Sequence, residues 1–221
     1  VLNPLKASVL AMHATAHRIV GVGLRGLIIL SEDQGQSWRQ VESPVQSDLT
    51  AVHFPTDSKG WAVGQEGVVL HSADGGTTWV KQLDSASAAS QFVPDYKKKL
   101  EAGSISEADF HQLKLKLQIK ATLPLLDVWF ENELRGWVVG SFGGVALTND
   151  GGRTWQAGLQ YIDNADYLNL NSIKKIGDGV FIAAERGQVF KLDLTSQKFL
   201  PIATGYNGSF WGVTGRKDNI F

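Results

Sequence analysis

One eighteen-residue pattern occurs three times without a gap, at residues 21–38, 62–79 and 138–155. Each copy has a glycine-bounded apolar stretch, a short run of branched residues, and then Ser/Thr-x-Asp-x-Gly-x-Ser/Thr-Trp. The last element is carried by Ser31, Asp33, Gly35 and Trp38, by Ser72, Asp74, Gly76 and Trp79, and by Thr148, Asp150, Gly152 and Trp155. From Asp33 to Asp74 is 41 residues, and from Asp74 to Asp150 is 76, one period plus an insertion of 35. A fourth copy at 179–193 keeps the apolar pattern but loses the Gly-Gly pair and the Trp, and a fifth begins at 209–213. A fixed period of this length means a stack of small equivalent units.

Another short apolar segment precedes each core, at residues 9–13, 49–54, 126–130 and 168–173. Each unit therefore holds four short strands, bounded by Gly and Asp. In the second unit these are A (49–54), B (60–64), C (68–72) and D (78–83). Four strands in about 40–45 residues mark a β-propeller blade. A four-stranded sheet buries both faces only against neighbours, so the units must pack around an axis. The expected fold is all-β, with four-stranded antiparallel blades near 8–43, 48–83, 126–158 and 168–202 and a partial one at 209–221. All belong to a single domain over 1–221, interrupted by an insertion at 84–122.

The repeated box is turn chemistry. Gly supplies positive φ, while the Asp carboxylate and the leading hydroxyl accept turn amides. The Trp ring packs beneath the hairpin, with its indole N–H free for one partner. Calcium is disfavoured, because a loop site needs several carboxylates and each box supplies one, or two in the first. No metal and no cofactor is expected. All seven Trp fall within the repeats: Trp38, Trp79 and Trp155 after the boxes, Trp61 and Trp137 in strand B, Trp129 and Trp211 in strand A. All are expected in the core.

Composition excludes several classes. With 43% hydrophobic residues and a net charge of −1, the chain can build a core and is not disordered. That charge balance also argues against binding nucleic acid. With no Cys there is no disulfide framework, thiolate site or cysteine nucleophile. No apolar run approaches the ~20 residues of a membrane span.

The box is the Asp-box, found in sialidases, sortilin-type receptors and photosystem II assembly factors. Here it follows Gly-Trp-x-Val-Gly-x-x-Gly, at Gly60-Trp61-Ala62-Val63-Gly64 and Gly136-Trp137-Val138-Val139-Gly140. With Leu126-Asp127-Val128-Trp129-Phe130 and Ala184-Glu185-Arg186-Gly187, the chain resembles the photosystem II stability/assembly factor family. The resemblance spans nearly everything except the insertion. It implies a propeller, typically seven-bladed, in a lumen or periplasm or secreted. It also implies a non-catalytic scaffold binding a protein partner, such as a subunit of a membrane complex. Seven blades of 41 residues exceed a chain of 221, so a longer protein is expected; the alternative is a five-bladed ring closed by residues 1–6.

Hairpin connectivity sorts the loops. The C–D turns with the boxes share one rim with the A–B turns. The B–C turns and D–A connections share the other. The B–C turns contain Arg25, Glu66, Phe142 and Arg186, and the insertion is a D–A connection on the same rim. Variable loops on a rigid scaffold carry function, so Arg25, Glu66, Phe142, Arg186 and Asp163 are the candidate partner-binding residues. Solvated turn arginines are the bland alternative.

Within the insertion, residues 85–90 are small and polar, residues 95–102 read as helix, and Gly103 is a stop. Ser106 to Asp109 resembles a capping box opening a second helix through Phe110, Leu113 and Leu117. The period-two run 113–120 is compatible with a strand instead. The apolar stripe is expected either to pack on the propeller or to dock a partner helix.

The rival class is a sialidase-like glycoside hydrolase. That chemistry needs an arginine cluster, a Tyr nucleophile with its Glu, and an acid/base Asp. Tyr96, Tyr161, Tyr167 and Tyr206 match no such pattern; Asp163 and Asp166, beside Tyr161 and Tyr167, form a weak candidate and suit turn caps as well. The five histidines are scattered and read as structural. A third class is a carbohydrate- or protein-binding receptor module, for which Phe142 is the one exposed aromatic expected among the B–C turns.

Overall fold

The computed structural model describes residues 7–118, 124–216 and 219–220, without the side chains of 116–118 and 219–220. Residues 1–6, the end of the 113–120 run and Phe221 lie outside them. Four antiparallel meanders form in chain order. Blade 1 holds β1 (Val9–Ala14), β2 (Ile19–Gly23), β3 (Ile28–Ser31) and β4 (Arg39–Val41). Blade 2 holds β5 (Leu49–His53), β6 (Gly60–Gly64), β7 (Val69–Ser72) and β8 (Val80–Leu83). Helices α1 (Ser85–Glu101) and α2 (Glu107–Gln118) follow. Blade 3 holds β9 (Leu125–Phe130), β10 (Gly136–Gly140), β11 (Val145–Thr148) and the two-residue β12 (Gln156–Ala157). Blade 4 holds β13 (Leu170–Ile176), β14 (Gly179–Ala184), β15 (Val189–Asp193) and β16 (Lys198–Ile202). A minimal hairpin, β17 (Gly215–Arg216) with β18 (Asn219–Ile220), ends the described chain.

The Gly-Trp-x-Val-Gly strands sit mid-sheet, and β6 and β10 are buried at every residue. Their first glycine makes room for the ring that ends strand A: a Cβ on Gly60 would lie 2.4 Å from Phe54, and one on Gly136 2.5 Å from Phe130. Their Trp fills the space between blades. Trp61 stacks on Phe130 of the next blade, ring centroids 3.5 Å apart and 9° from parallel. Separate apolar clusters glue blade 1 to 2, 2 to 3 and 3 to 4.

Polar clasps join the first strands of successive blades. The Thr50 hydroxyl donates to Leu125 O at 2.7 Å, and Phe130 N–H donates to His53 Nδ1 at 3.1 Å. Asp127 accepts from Ser172 Oγ and Ile173 N, both at 2.9 Å. His53 must be a neutral acceptor; burial above all, with the charges of His13 and Lys174, lowers its pKa to about 3. Burial pushes the Asp127 carboxyl up, against its three donors and Lys174.

The insertion is helical, as the capping pattern predicts, but α1 starts ten residues before the expected 95. Asp84 caps it reciprocally with Ser87, so the small polar stretch is the helix's first turns. Gly103, at φ 68°, closes α1, and Ser106 and Asp109 exchange the capping bonds of α2. The pair packs on the propeller: Ala88, Phe92, Tyr96, Ile105 and Leu113 join the cluster between blades 2 and 3. The strand alternative for 113–120 fails where described, because α2 runs to Gln118.

The fifth unit departs from expectation. Residues 207–214 form no strand, and Trp211, expected in a core, is 80% exposed. Trp38 is only half-buried. Phe210 and Val213 do pack against blade 4, and Asn171 Nδ2 donates to Phe210 O at 2.7 Å.

Candidate functional site

The two rims use the same kind of hairpin differently. At the box rim, side chains turn inward. Ser72 Oγ donates to Asp74 Oδ1 and accepts from Gly76 N at 2.8 Å. Asp74 accepts Thr77 N, Thr78 N and Thr78 Oγ1, while Trp79 Nε1 donates to Gly76 O at 3.0 Å. The first box repeats these bonds through Ser31, Asp33, Gly35, Ser37 and Trp38. Ser37 chiefly, through its hydroxyl and amide, holds the Asp33 carboxyl down at about 2. The third repeats the carboxylate bonds through Thr148, Asp150, Gly152 and Thr154, but the buried indole N–H of Trp155 finds no hydrogen-bond partner among the described residues. The Trp155 amide instead reaches Gln91 of α1 at 3.3 Å. Each of the three box carboxylates is thus taken up by donors of its own turn.

At the opposite rim, side chains turn outward. Arg25, Glu66, Phe142 and Arg186 hold φ of 57°, 63°, 54° and 52°, each followed by a glycine also at positive φ. These are tight primed turns, a shape normally given to Asn-Gly. A left-handed L-residue costs about 1–2 kcal/mol. Four such residues at equivalent positions place four side chains in solvent: all are exposed, Phe142 by 58%.

The turns are braced from below. The residue before each left-handed one donates to the carbonyl preceding its own blade: Leu24 to Ser8, Gln65 to Asp48, Ser141 to Pro124, Glu185 to Asn169. The next blade reaches back: Asp48 Oδ1 accepts Arg25 N at 2.7 Å, and Asn169 Oδ1 accepts Phe142 N at 2.6 Å. Pro124 at the equivalent position cannot do this for Glu66, whose carbonyl instead accepts Ser85 Oγ from α1. Arg186 stands 3.5 Å from Asp166, with both side chains about 70% exposed (71% and 69%). Asp163 lies apart from these turns, its amide donating to Phe199 O at 3.0 Å beside β16. The four turn residues thus share a rim, and Asp163 flanks it.

Sequence reasoning did not single out Asp48 and Asn169 as braces, though both precede strand A at matching places in the repeat. It also missed Arg18, whose Nη1 donates to Asp74 O at 2.7 Å and whose Nη2 pairs with Glu32 at 2.9 Å, clamping blade 1 to the second box. No local pattern marks that arginine.

Tandem four-stranded blades with saturated box turns on one rim and outward side chains on the other define an Asp-box β-propeller. The family model described as Photosynthesis system II assembly factor YCF48 matches residues 11–93 and 104–195, and the chain belongs to this family. Both matched segments enter the insertion, so the likeness extends further than the sequence motifs alone imply. The photosystem II assembly protein Ycf48 of Synechococcus sp. (strain JA-2-3B'a(2-13)) is 30% identical over 170 residues, covering 70% of this chain and 49% of that protein. Its counterpart in Synechococcus sp. (strain JA-3-3Ab) is 25% identical over 201 residues, covering 79% and 58%. The chain therefore spans about half the length of these curated relatives. Among solved structures, YCF48 bound to D1 peptide superposes with a TM-score of 0.60 at 16% identity, covering 95% of this chain and 58% of that one. An ancestral GH74 enzyme does so with 0.57 at 14%, covering 92% and 25%. At such identities these structures speak for the propeller fold alone.

Proposed function

We propose that this chain is a non-catalytic scaffold that binds a protein partner during assembly or stabilisation of a membrane protein complex, in a periplasmic, lumenal or secreted setting. The rim of B–C turns is its partner surface. The observation that carries this is the row of four left-handed, non-glycine residues. Backbone strain repeated where glycine would relieve it is retained for what the side chains do. Arginine and aromatic groups on a rigid frame are the usual anchors of an interface.

The named function of the Synechococcus relatives, photosystem II assembly, supports the scaffold class, and the peptide held by the YCF48 structure supports a protein ligand. Among the described residues no helix is long and apolar enough to cross a membrane. A glycoside hydrolase is less well supported: the Tyr96 hydroxyl is bonded inside the fold to Gln160, and Asp166 faces Arg186. Affinity capture with the Arg25→Glu/Arg186→Glu variant tests the rim. Recovery of membrane-complex subunits should drop tenfold or more with unchanged thermal unfolding; undiminished capture overturns the assignment.

A further inference from the structure

Between the helical insertion and blade 4 runs a groove that meets the rim turns only at Gly143, beside Phe142. One wall is the α1–α2 turn with Ile105 and the first turn of α2 with Asp109; the other is the segment 159–163 with Lys198 and Leu200 of β16, enclosing about 620 Å³. A smaller cavity of about 180 Å³ shares Asp109, Leu159, Ile162 and Asp163 and extends to Gly143 and Tyr167. Together they make one path from beside Phe142 down to the outer edge of blade 4.

The walls are fixed. Tyr96 Oη bonds Gln160 and Leu159 N, at 2.5 and 3.0 Å. The Asn164 side chain clasps both the amide and the carbonyl of Leu168, each at 3.0 Å. A pre-formed concave site that offers both apolar and polar groups can hold a ligand, and this lining mixes Ser104, Ser106, Asp109, Gln160, Asp163 and Lys198 with four apolar side chains. The apolar part is Ile105 and Ile162, both buried, with the half-buried Leu159 and with Leu200, which is 41% exposed.

The polar groups define the occupant. Asp109 is shared with the Ser106 amide and hydroxyl. Asp163 is exposed; its carboxylate has no hydrogen bond or ion pair to any described residue, so a partner that covers it must supply a cation or leave it unpaired at a cost. Lys198, one residue before the Phe199 carbonyl that takes the Asp163 amide, lines the same groove and disfavours a second positive charge there. Strand addition to β16 is blocked, because Asp163 already takes the outward carbonyl of Phe199 and the next outward position, Pro201, has no N–H.

We propose that this groove takes an extended segment of a protein partner, bound through side chains, with one Lys or Arg between apolar residues. The cation sits over Asp163 and Asp109 and the apolar groups lie against the four apolar side chains. This rests on the scaffold reading above but names a second contact, of opposite charge preference to Arg25 and Arg186.

The test is fluorescence polarisation of the full chain with labelled Gly-Leu-Lys-Leu-Gly and Gly-Leu-Glu-Leu-Gly peptides. The lysine peptide should bind at least tenfold more tightly, and Asp163→Lys and Leu200→Glu should each remove tenfold or more. Asp163→Asn checks that charge and not folding is responsible, and should give an intermediate loss at an unchanged melting temperature. Equal affinity for both peptides, no binding of either at millimolar concentration, or indifference to Asp163→Lys overturns the groove. Arg25→Glu/Arg186→Glu should leave lysine-peptide affinity unchanged. Loss of partner capture in that variant with no charge preference in the groove would therefore refute this inference and spare the rim.

Discussion

The turn around Asp74 and the turn around Glu66 lie in one blade, joined by the four residues of β7. Both rely on positive φ, yet they use it oppositely. In the first, Gly75 and Gly76 take the left-handed positions, leaving Ser72, Asp74 and Trp79 free to saturate the turn. In the second, Glu66 takes a left-handed position itself and its side chain satisfies nothing within the turn. One rim spends its chemistry on holding the hairpin; the other accepts strain and keeps its chemistry for solvent. The same division recurs in blade 3, with Gly151 and Gly152 against Phe142; in blade 1 the box itself carries a left-handed Gln34, at φ 60°, before Gly35.

Three measurements sharpen this contrast. The largest effect is expected at the box: Trp79 is 6% exposed and lies edge-on to Phe54, centroids 5.9 Å apart. Trp79→Ala should cost about 3–5 kcal/mol in urea unfolding. A loss below about 1 kcal/mol would mean that the indole is not what seats the hairpin.

The second effect is acid sensitivity between pH 7 and 5, above the range in which the box carboxylates lose their contribution to stability. His53 is neutral in the fold with a pKa of about 3, against an ordinary 6.5. The unfolded chain binds its proton first, so this stability is fully present above pH 6.5 and is lost as pH falls toward 3. Between pH 7 and 5 it amounts to about 2 kcal/mol, from 1.36 kcal/mol per unit. Burial lowers His13 and His71 in the same direction. Asp127, raised by burial, acts oppositely, its contribution fading as pH rises through its folded value. His53→Asn should flatten the slope between pH 6.5 and 5; an unchanged slope would assign the acid loss elsewhere.

The smallest effect has the opposite sign. Glu66→Gly relieves a left-handed residue, offset in part by a more flexible unfolded chain, and should stabilise by about 0.5 kcal/mol. The bond from Ser85 to the Glu66 carbonyl survives that change. Destabilisation would show that the Glu66 side chain supports the fold after all, removing the basis for reading this rim as outward-facing.

Much of this was legible before any coordinates. The blades, the order of strands, the box turns and the sorting of loops onto two rims follow from repeats and hairpin connectivity. The helical insertion follows from Gly103 and Ser106. The start of α1 was not legible, because Ser and Ala between 85 and 90 read as linker until Asp84 is seen to cap them. The exposure of Trp211 was not legible either, since a strand-like pentapeptide becomes a strand only when a neighbour pairs with it. For the rim of B–C turns, positions were readable but strain was not: Gly26 and Gly143 signal a turn, while nothing about Arg25 or Phe142 announces a left-handed backbone.

The sequence alone determined what neighbouring residues settle among themselves: period, turns, caps and the alternation of buried and exposed positions. Those depend on bonds closed within a few residues, so the pattern is written where it acts. The tertiary structure decided the His53 and Asp127 clasps, the Arg18 clamp and the groove beside Asp163. Each joins groups far apart in the chain, and their burial and charge environment exist only once blade has packed on blade.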